Sequence, residues 1–176
     1  FKQKTAYEIT YGDWSSDVCS SDLLEKASRY RLLNEPEQAE SICEDVLRID
    51  PENQDAIATL ILAKSDRFYS ARPLPPQQVR ALLAKLCGDY EKEFFAGIID
   101  EREGIAWLRS GKPHSGAAAY DCLRNAMVHF EKAESLRPTA NDDALLRWNS
   151  CVRLLRNHPD VKPTEEAAEA SVVMGD

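Results

Sequence analysis

The chain is predicted to fold as an all-α protein, and three observations support this class. Apolar residues recur at steps of three and four through most of the sequence, which is the period of one face of an α-helix. Glycine, a weak helix former, occurs only 7 times in 176 residues. Apolar residues make up 43% and charged residues 30% of the chain, a composition typical of a globular domain that can bury a core.

Three helices of ordinary length are predicted in the first half of the chain. Asn34 is a candidate cap between the first two, and Pro36 suits the first turn of the second. Asp50 and Pro51 end the second helix, because proline cannot continue the backbone hydrogen bonds and disfavours helix in the residue before it. The predicted helices cover residues 24–33, 37–49 and 53–65.

The second half predicts a shorter helix, two long helices and a closing helix, after a proline-rich connection at residues 72–79. Gly88 is expected to cap the C-terminal end of the shorter helix. Asp89, Asn141 and Asp142 are candidate N-terminal caps. The predicted helices cover residues 77–86, 90–109, 117–136 and about 141–155. The domain would therefore hold about seven helices within residues 24–156.

One spacing of residues occurs twice in the chain. Ala39, Cys43, Val46 and Pro51 stand at the same relative positions as Ala126, Phe130, Ala133 and Pro138. This spacing resembles the second-helix signature of the tetratricopeptide repeat, and Tyr30 matches the first-helix aromatic of that family. The separation of the two copies is not a multiple of the usual repeat length of about 34 residues. The resemblance implies antiparallel helical hairpins in an α-solenoid with an irregular, elongated middle.

The resemblance implies a protein–protein interaction scaffold or adaptor without catalytic activity, similar to bacterial proteins that contain these repeats. Its groove would be lined by first-helix residues and would hold an extended peptide or a helix. Some family members bind chaperone tails through Lys and Asn on first helices, but this chain has Leu24 and Ser28 there. The candidate groove residues are Tyr90, Phe94, Arg102, Trp107, Tyr120, Arg124, Arg147 and Asn149.

Hairpin core is the alternative for the aromatic members of that set, since buried aromatic side chains dominate core packing. Arg147 and Asn149 are the favoured polar members, because Trp148 between them is expected to point inward. The variant Arg147→Ala is therefore expected to fold normally and to lose its partner.

The acidic run at residues 100–103 is the main candidate for catalytic chemistry. Paired carboxylates can perform acid–base work, but a solvated helix face with local charge pairs is the favoured interpretation. An enzyme would need a pocket that gathers Glu101, Arg102 and His129. The stretch GKPHSG at residues 111–116 lacks the spacing of a phosphate loop. No cofactor or metal site is predicted, and a non-catalytic helical part of a larger protein remains the other alternative.

The net charge of −8 argues against a nucleic-acid partner and suits basic partners. No apolar run is long enough to span a bilayer, so no membrane partner is expected. The five cysteines never reach metal-site spacing, which predicts reduced thiols in a cytoplasmic protein. Buried helix positions are expected for Cys43, Cys87, Cys122 and Cys151.

The two ends of the chain are expected to stand apart from the domain. Residues 1–23 resemble translated read-through of a sequencing adapter. One part of the adapter translates to FKQKTAYEI, a second part translates to GDWSSDVCSSDL, and the spacer between them has the length of a sample barcode. We therefore expect Trp14 and Cys19 to have no role in a site, and the native start to be missing. Residues 157–176 contain no aromatic residue and predict a disordered or weakly helical tail.

Overall fold

The structure, a computed structural model, describes residues 20–70 and 72–163 of the chain. This part contains seven α-helices, one short 3-10 helix over Ala81–Lys85, and no strand, which confirms the all-α class. None of its helices combines the length and the apolarity needed to cross a membrane. The α-helices are α1 Ser20–Leu32, α2 Pro36–Ile49, α3 Gln54–Asp66, α4 Pro76–Arg80, α5 Asp89–Ser110, α6 Ser115–Leu136 and α7 Asp143–Asn157.

Helix α1 begins at Ser20, within the segment that resembles the adapter, so the helix starts earlier than predicted. Leu23 is buried against Val46 and Ala56. The start of α1 therefore lies beside the end of α2 and the start of α3. Residues 1–19, with Trp14 and Cys19, and residues 164–176 of the predicted tail lie outside the described residues.

The turn between α1 and α2 differs from the prediction in one position. Asn34 adopts a left-handed backbone with φ of 61°, which asparagine tolerates better than most residues. It therefore ends α1 instead of capping α2, whose N-cap is Glu35 and whose first residue is Pro36. At α3, the side-chain oxygen of Asn53 accepts a hydrogen bond from the Ala56 N–H at 3.0 Å and acts as a regular N-cap.

Small residues lie where α2 crosses its two neighbours. Ala39 and Cys43 of α2 are fully buried against Ala27 of α1 and against Leu60 and Ala63 of α3. Side chains of this size allow the helix axes to approach closely. The first three residues of each copy of the repeated spacing are buried within a helix, while the prolines that complete the two copies are exposed after the helices end. The buried residues are Ala39, Cys43 and Val46 in the first copy and Ala126, Phe130 and Ala133 in the second, and the prolines are Pro51 and Pro138.

The helix predicted over residues 77–86 is divided into α4 and the 3-10 helix. The Gln54 side chain binds the backbone where the 3-10 helix ends. Its amide oxygen accepts a hydrogen bond from the Cys87 N–H at 2.8 Å, and its amide nitrogen donates one to the Lys85 carbonyl at 3.3 Å. Gly88 has φ of −79° and serves as the N-cap of α5. The prediction that Gly88 caps the preceding helix is therefore wrong, since that role needs a positive φ.

Helices α5 and α6 form the most extensive helix contact in the described part. Two glycines of α5 permit it: a Cβ atom on Gly97 would lie 2.6 Å from the Phe130 ring, and one on Gly104 would lie 3.0 Å from Leu123. Gly111, with φ of 59° in the left-handed region, is the C-cap of α5. Helix α7 then packs on α6 and covers its apolar face.

Candidate functional site

The acidic run of α5 is internal to the helix packing. Asp100 and Glu101 are buried, and Glu101 is only 2% exposed. The interpretation as a solvated helix face is therefore wrong for these residues. The reason is that α3, α4 and α6 all pack against α5. Arg147 of α7 also reaches Glu101, so neighbouring helices cover this part of α5.

The three residues of the enzyme hypothesis point to three different neighbours. Glu101 accepts a hydrogen bond from Arg147 at 3.0 Å. Arg102 pairs with Asp66 at 2.9 Å and donates to the Leu62 carbonyl at 2.8 Å, both on α3. The structure does not gather these residues with His129 in one pocket.

His129 joins a separate charged cluster between α5 and α6. Its Nδ1 lies 2.6 Å from Glu93, and its Nε2 lies 3.7 Å from Asp100. Asp100 is also paired with Arg80 of α4. Burial raises the pKa of Asp100, although the charges of Arg80 and His129 oppose the shift. Among the described residues, no three His, Cys, Asp or Glu side chains are arranged to hold a metal ion.

Most of the predicted groove residues do not form one surface. Tyr90 and Phe94 stack at 5.6 Å, and Phe94 packs on the buried Phe130, so these two aromatics extend the core. Arg102 and Arg147 are engaged in the internal ion pairs. Arg124 is exposed beside Met127, while Tyr120 and Asn149 are partly buried on α6 and α7. Trp107 lines one of the two surface cavities that are described below, and no other member of the set lines either of them.

The choice of Arg147 as a groove residue is not supported by its position. Arg147 reaches the buried Glu101, although it was expected to point away from the core because the adjacent Trp148 points inward. The indole N–H of Trp148 donates to Glu131 of α6 at 2.9 Å. Arg147 and Trp148 therefore both contact other helices. The prediction assumed that residues next to an inward-pointing residue face outward. Adjacent residues on a helix are only about 100° apart, so both can contact neighbouring helices.

A surface cavity of about 340 Å³ lies between the segment after α3 and the C-terminal half of α5. We call it the aromatic cavity. Its walls are mostly aromatic, proline and aliphatic side chains, with a few charged groups. The lining residues are Phe68, Tyr69, Ser70, Pro73, Leu74, Pro76, Glu103, Ala106, Trp107, Arg109, Ser110 and Lys112.

A tight turn after α3 positions one wall of the aromatic cavity. The Phe68 N–H donates to the Ser65 carbonyl and the Ser70 N–H to the Arg67 carbonyl, which closes the turn. Phe68 is buried in the cluster that contains Ile57 and Ile99. Because Phe68 anchors the turn, its neighbour Tyr69 is left 43% exposed at the cavity.

The end of α5 positions the other wall. The Ser110 hydroxyl donates to the Trp107 carbonyl at 2.8 Å and accepts from the Lys112 N–H at 3.3 Å. With Gly111 in the left-handed conformation, this turn brings the Lys112 ammonium to 6.0 Å from the centre of the Trp107 ring. The Arg109 guanidinium lies 4.4 Å from the centre of the Tyr69 ring, in the geometry of a cation–π contact.

The charges around the aromatic cavity are unevenly paired. Glu103 accepts from Arg80 at 2.9 Å, and Arg80 also pairs with Asp100, so one guanidinium is shared by two carboxylates. Arg109 and Lys112 contact only aromatic rings and have no acidic partner among the described residues. Within residues 20–70 and 72–163, the cavity therefore presents two cations that have no carboxylate partner, although the whole chain carries −8.

A second cavity of about 430 Å³ adjoins the first and shares Tyr69 and Ser70 with it. Its main charged groups already bind one another or their neighbours. Asp66 pairs with Arg31 at 2.9 Å, and Arg67 pairs with Glu40 at 2.7 Å. The aromatic cavity is therefore the better candidate site, because Arg109 and Lys112 at its edge have no carboxylate partner among the described residues.

The four cysteines of the described part are free thiols. Burial raises the pKa of Cys43 to about 11 and the pKa of Cys122 and Cys151 to about 12. These three are therefore poor nucleophiles near neutral pH. The expectation of a buried position is wrong for Cys87, which is exposed because it lies in the link between the 3-10 helix and α5.

Comparison of the chain with protein-family models, with curated proteins and with solved structures gives no match.

Glu40 provides a test of how the helix pairs are held together. Burial opposes ionisation of this carboxylate, but hydrogen bonds and charge from Lys64 and Arg67 outweigh burial and lower its pKa. Its stabilising contribution is therefore present above the pKa of the unfolded chain, near 4.3, and is lost as the pH falls through the lower folded value. We expect Glu40→Gln to reduce the free energy of unfolding by about 1–2 kcal/mol at pH 7.

Urea unfolding at pH 7 and at pH 3 would measure this effect, and the difference between Glu40→Gln and the wild type should shrink at pH 3. Glu44→Gln is the matched control, because Glu44 lies on the same helix and contacts Lys64 at 3.3 Å but is half-exposed. A loss that is equal for both variants, or independent of pH, would contradict the assignment.

Proposed function

We propose that residues 24–156 form a tetratricopeptide-like interaction module that binds an extended peptide segment at the aromatic cavity. Neighbouring helices support the repeat-like arrangement, since α1 packs on α2, α2 on α3, α5 on α6 and α6 on α7. The small buried residues at the helix crossings are of the kind that such hairpins use. Helix α5 and the proline-rich segment would form the irregular middle of the array.

The exposed aromatic wall of the cavity carries the proposal. Tyr69 is 43% exposed although it lies beside the buried Phe68, and it lines the cavity together with Trp107. Large aromatic side chains at a concave surface are the usual anchors of protein interfaces. A volume of about 340 Å³ suits one or two apolar side chains of a peptide, and Pro73 and Pro76 add apolar wall.

The experiment that tests the proposal is a selection of random peptides. A phage-displayed library of dodecapeptides is panned on the immobilised wild-type chain, on Tyr69→Ala and on Tyr30→Ala. Tyr30 is the matched control, because it is 37% exposed on α1 and does not line the aromatic cavity. Circular dichroism and a melting curve for each variant ensure that only folded protein is compared.

We expect related peptides to be enriched on the wild type and on Tyr30→Ala but not on Tyr69→Ala. Removing the ring takes away both an apolar wall and the support of Arg109. The dissociation constant of a selected peptide should rise at least about tenfold, which is typical of a hot-spot residue. Absence of enrichment on the wild type, or equal enrichment on Tyr69→Ala, would refute binding at this cavity.

A further inference from the structure

We infer that the peptide recognised at the aromatic cavity is acidic: an apolar side chain enters the cavity, and flanking carboxylates pair with Arg109 and Lys112. This inference rests on the proposed function, because it names the chemistry of the partner at the same site. Three observations carry it.

The first observation is a local reversal of charge. The chain is acidic overall, and half of the Lys and Arg side chains of its described part are paired with carboxylates, as Arg31, Arg67 and Arg80 show. Arg109 and Lys112 have no such partner among the described residues, and both line one cavity. In a chain with surplus carboxylates, two cations left without acidic partners at one concave site favour an acidic ligand.

The second observation is the way in which these cations are held. Arg109 lies over the Tyr69 ring, and Lys112 is held near Trp107 by the turn at Gly111. The ring contact limits the orientations of Arg109 but leaves its N–H groups at the guanidinium edge free to donate. A guanidinium held in this way can bind a carboxylate through two parallel hydrogen bonds, with less loss of side-chain freedom than a mobile one.

The third observation is the mixture of surfaces within one cavity. Phe68, Leu74 and Ala106 provide apolar wall, while the cations lie at the C-terminal end of α5. A small inorganic anion would use only the cations, and a neutral apolar peptide would use only the wall. An acidic segment with an apolar residue uses both, so the combined surface selects this class of partner.

The test repeats the peptide selection with two charge-reversal variants. Arg109→Glu/Lys112→Glu changes the cavity, and Lys132→Glu/Arg153→Glu is the control. Lys132 and Arg153 are exposed on α6 and α7, do not line the cavity, and their reversal changes the net charge of the chain by the same amount. The control therefore separates a local effect from general repulsion.

We expect peptides enriched on the wild type to carry excess Asp and Glu around an apolar residue, and the control variant to enrich the same peptides. The cavity variant should lose them and enrich basic peptides instead. In fluorescence anisotropy, a selected peptide should bind the cavity variant at least about tenfold more weakly, and its glutamine counterpart should bind the wild type more weakly by a similar factor. Raising the salt concentration should weaken the acidic peptide more than the glutamine counterpart.

Different failures have different meanings. Enrichment of neutral or basic peptides on the wild type would overturn the acidic partner and leave the proposed function in place. No enrichment at all would refute the proposed function itself. If replacing Glu165, Glu166 and Glu169 by glutamine tightened binding of the acidic probe about tenfold, the chain's own acidic segment would be the occupant, and a separate partner would be overturned.

Discussion

Replacing Arg147 by alanine is expected to reduce the free energy of unfolding by about 2–4 kcal/mol. Arg147 of α7 holds the carboxylate of Glu101 at 3.0 Å, and that carboxylate is 2% exposed. Removing the guanidinium leaves a buried charge without a partner, which is the costly way to break an ion pair. The sequence alone predicted normal folding for this variant, so the structure reverses the expected result.

The pH dependence of Arg147→Ala identifies the cause. Burial raises the pKa of Glu101, while the charge and hydrogen bond of Arg147 oppose the shift. A carboxyl whose folded pKa lies above its unfolded value contributes stability at low pH, and that contribution is lost as the pH rises through the folded value. Without Arg147 the penalty of ionised Glu101 is uncompensated. The loss of stability should therefore be largest at neutral pH and should shrink as the pH falls toward the unfolded pKa.

The measurement is urea unfolding of Arg147→Ala, Glu101→Gln and the double variant, with Arg153→Ala as the control on α7. The double variant should recover most of the loss, because a neutral amide at position 101 no longer leaves a buried charge. Arg153 is exposed, so its removal should change stability by less than about 0.5 kcal/mol. If the Arg147→Ala loss persisted in the Glu101→Gln background, lost packing of the arginine stem would explain it better.

Gly97→Ala is expected to destabilise the chain by up to about 2 kcal/mol, although alanine is the better helix former. The new methyl group would lie 2.6 Å from the ring of Phe130, which is fully buried and cannot move into solvent. Overpacking of this kind costs about 1–3 kcal/mol in a dense core. It is opposed by a gain of about 1 kcal/mol in helix propensity. The net loss indicates that α5 and α6 must separate slightly or that the ring must leave its preferred rotamer.

A double-mutant cycle with Phe130→Leu tests this contact. Phe130→Leu alone should also destabilise the chain, because it removes part of a buried ring. In the double variant the extra space should accept the methyl group, so the combined loss should be at least about 1 kcal/mol smaller than the sum of the single losses. Additive losses, or a higher melting temperature for Gly97→Ala, would show that α5 and α6 do not approach as closely as the structure has them.

The limits of most helices could be predicted from local signals. Pro36 begins α2, Asn53 caps α3 and Gly111 ends α5, and each acts on the backbone within its own turn. The end of the 3-10 helix could not be predicted this way. It involves the Gln54 side chain, which reaches residues 85 and 87 from another helix and is distant in the sequence.

The candidate site was predicted only in part. The groove residues predicted from the sequence include Trp107 but not Tyr69, Arg109 or Lys112. A usable signal existed, because the aromatic pair Phe68-Tyr69 stands between a predicted helix and the proline-rich segment. The alternative of hairpin core for the aromatic residues agrees with the positions of Tyr90 and Phe94 against Phe130.

The sequence by itself determined the all-α class, the places where most helices begin and end, and the small residues buried at the helix crossings. These properties depend on backbone preferences and on side-chain size, which act between residues close in the chain. Only the tertiary structure decided that Asp100 and Glu101 of α5 are buried and that Arg147 faces Glu101. It also decided that Arg109 and Lys112 lie at an aromatic cavity without a carboxylate partner in the described part of the chain. Whether a charge on a helix meets water or a partner depends on which distant helix covers that face, and residue spacing within one helix carries no information about its neighbours.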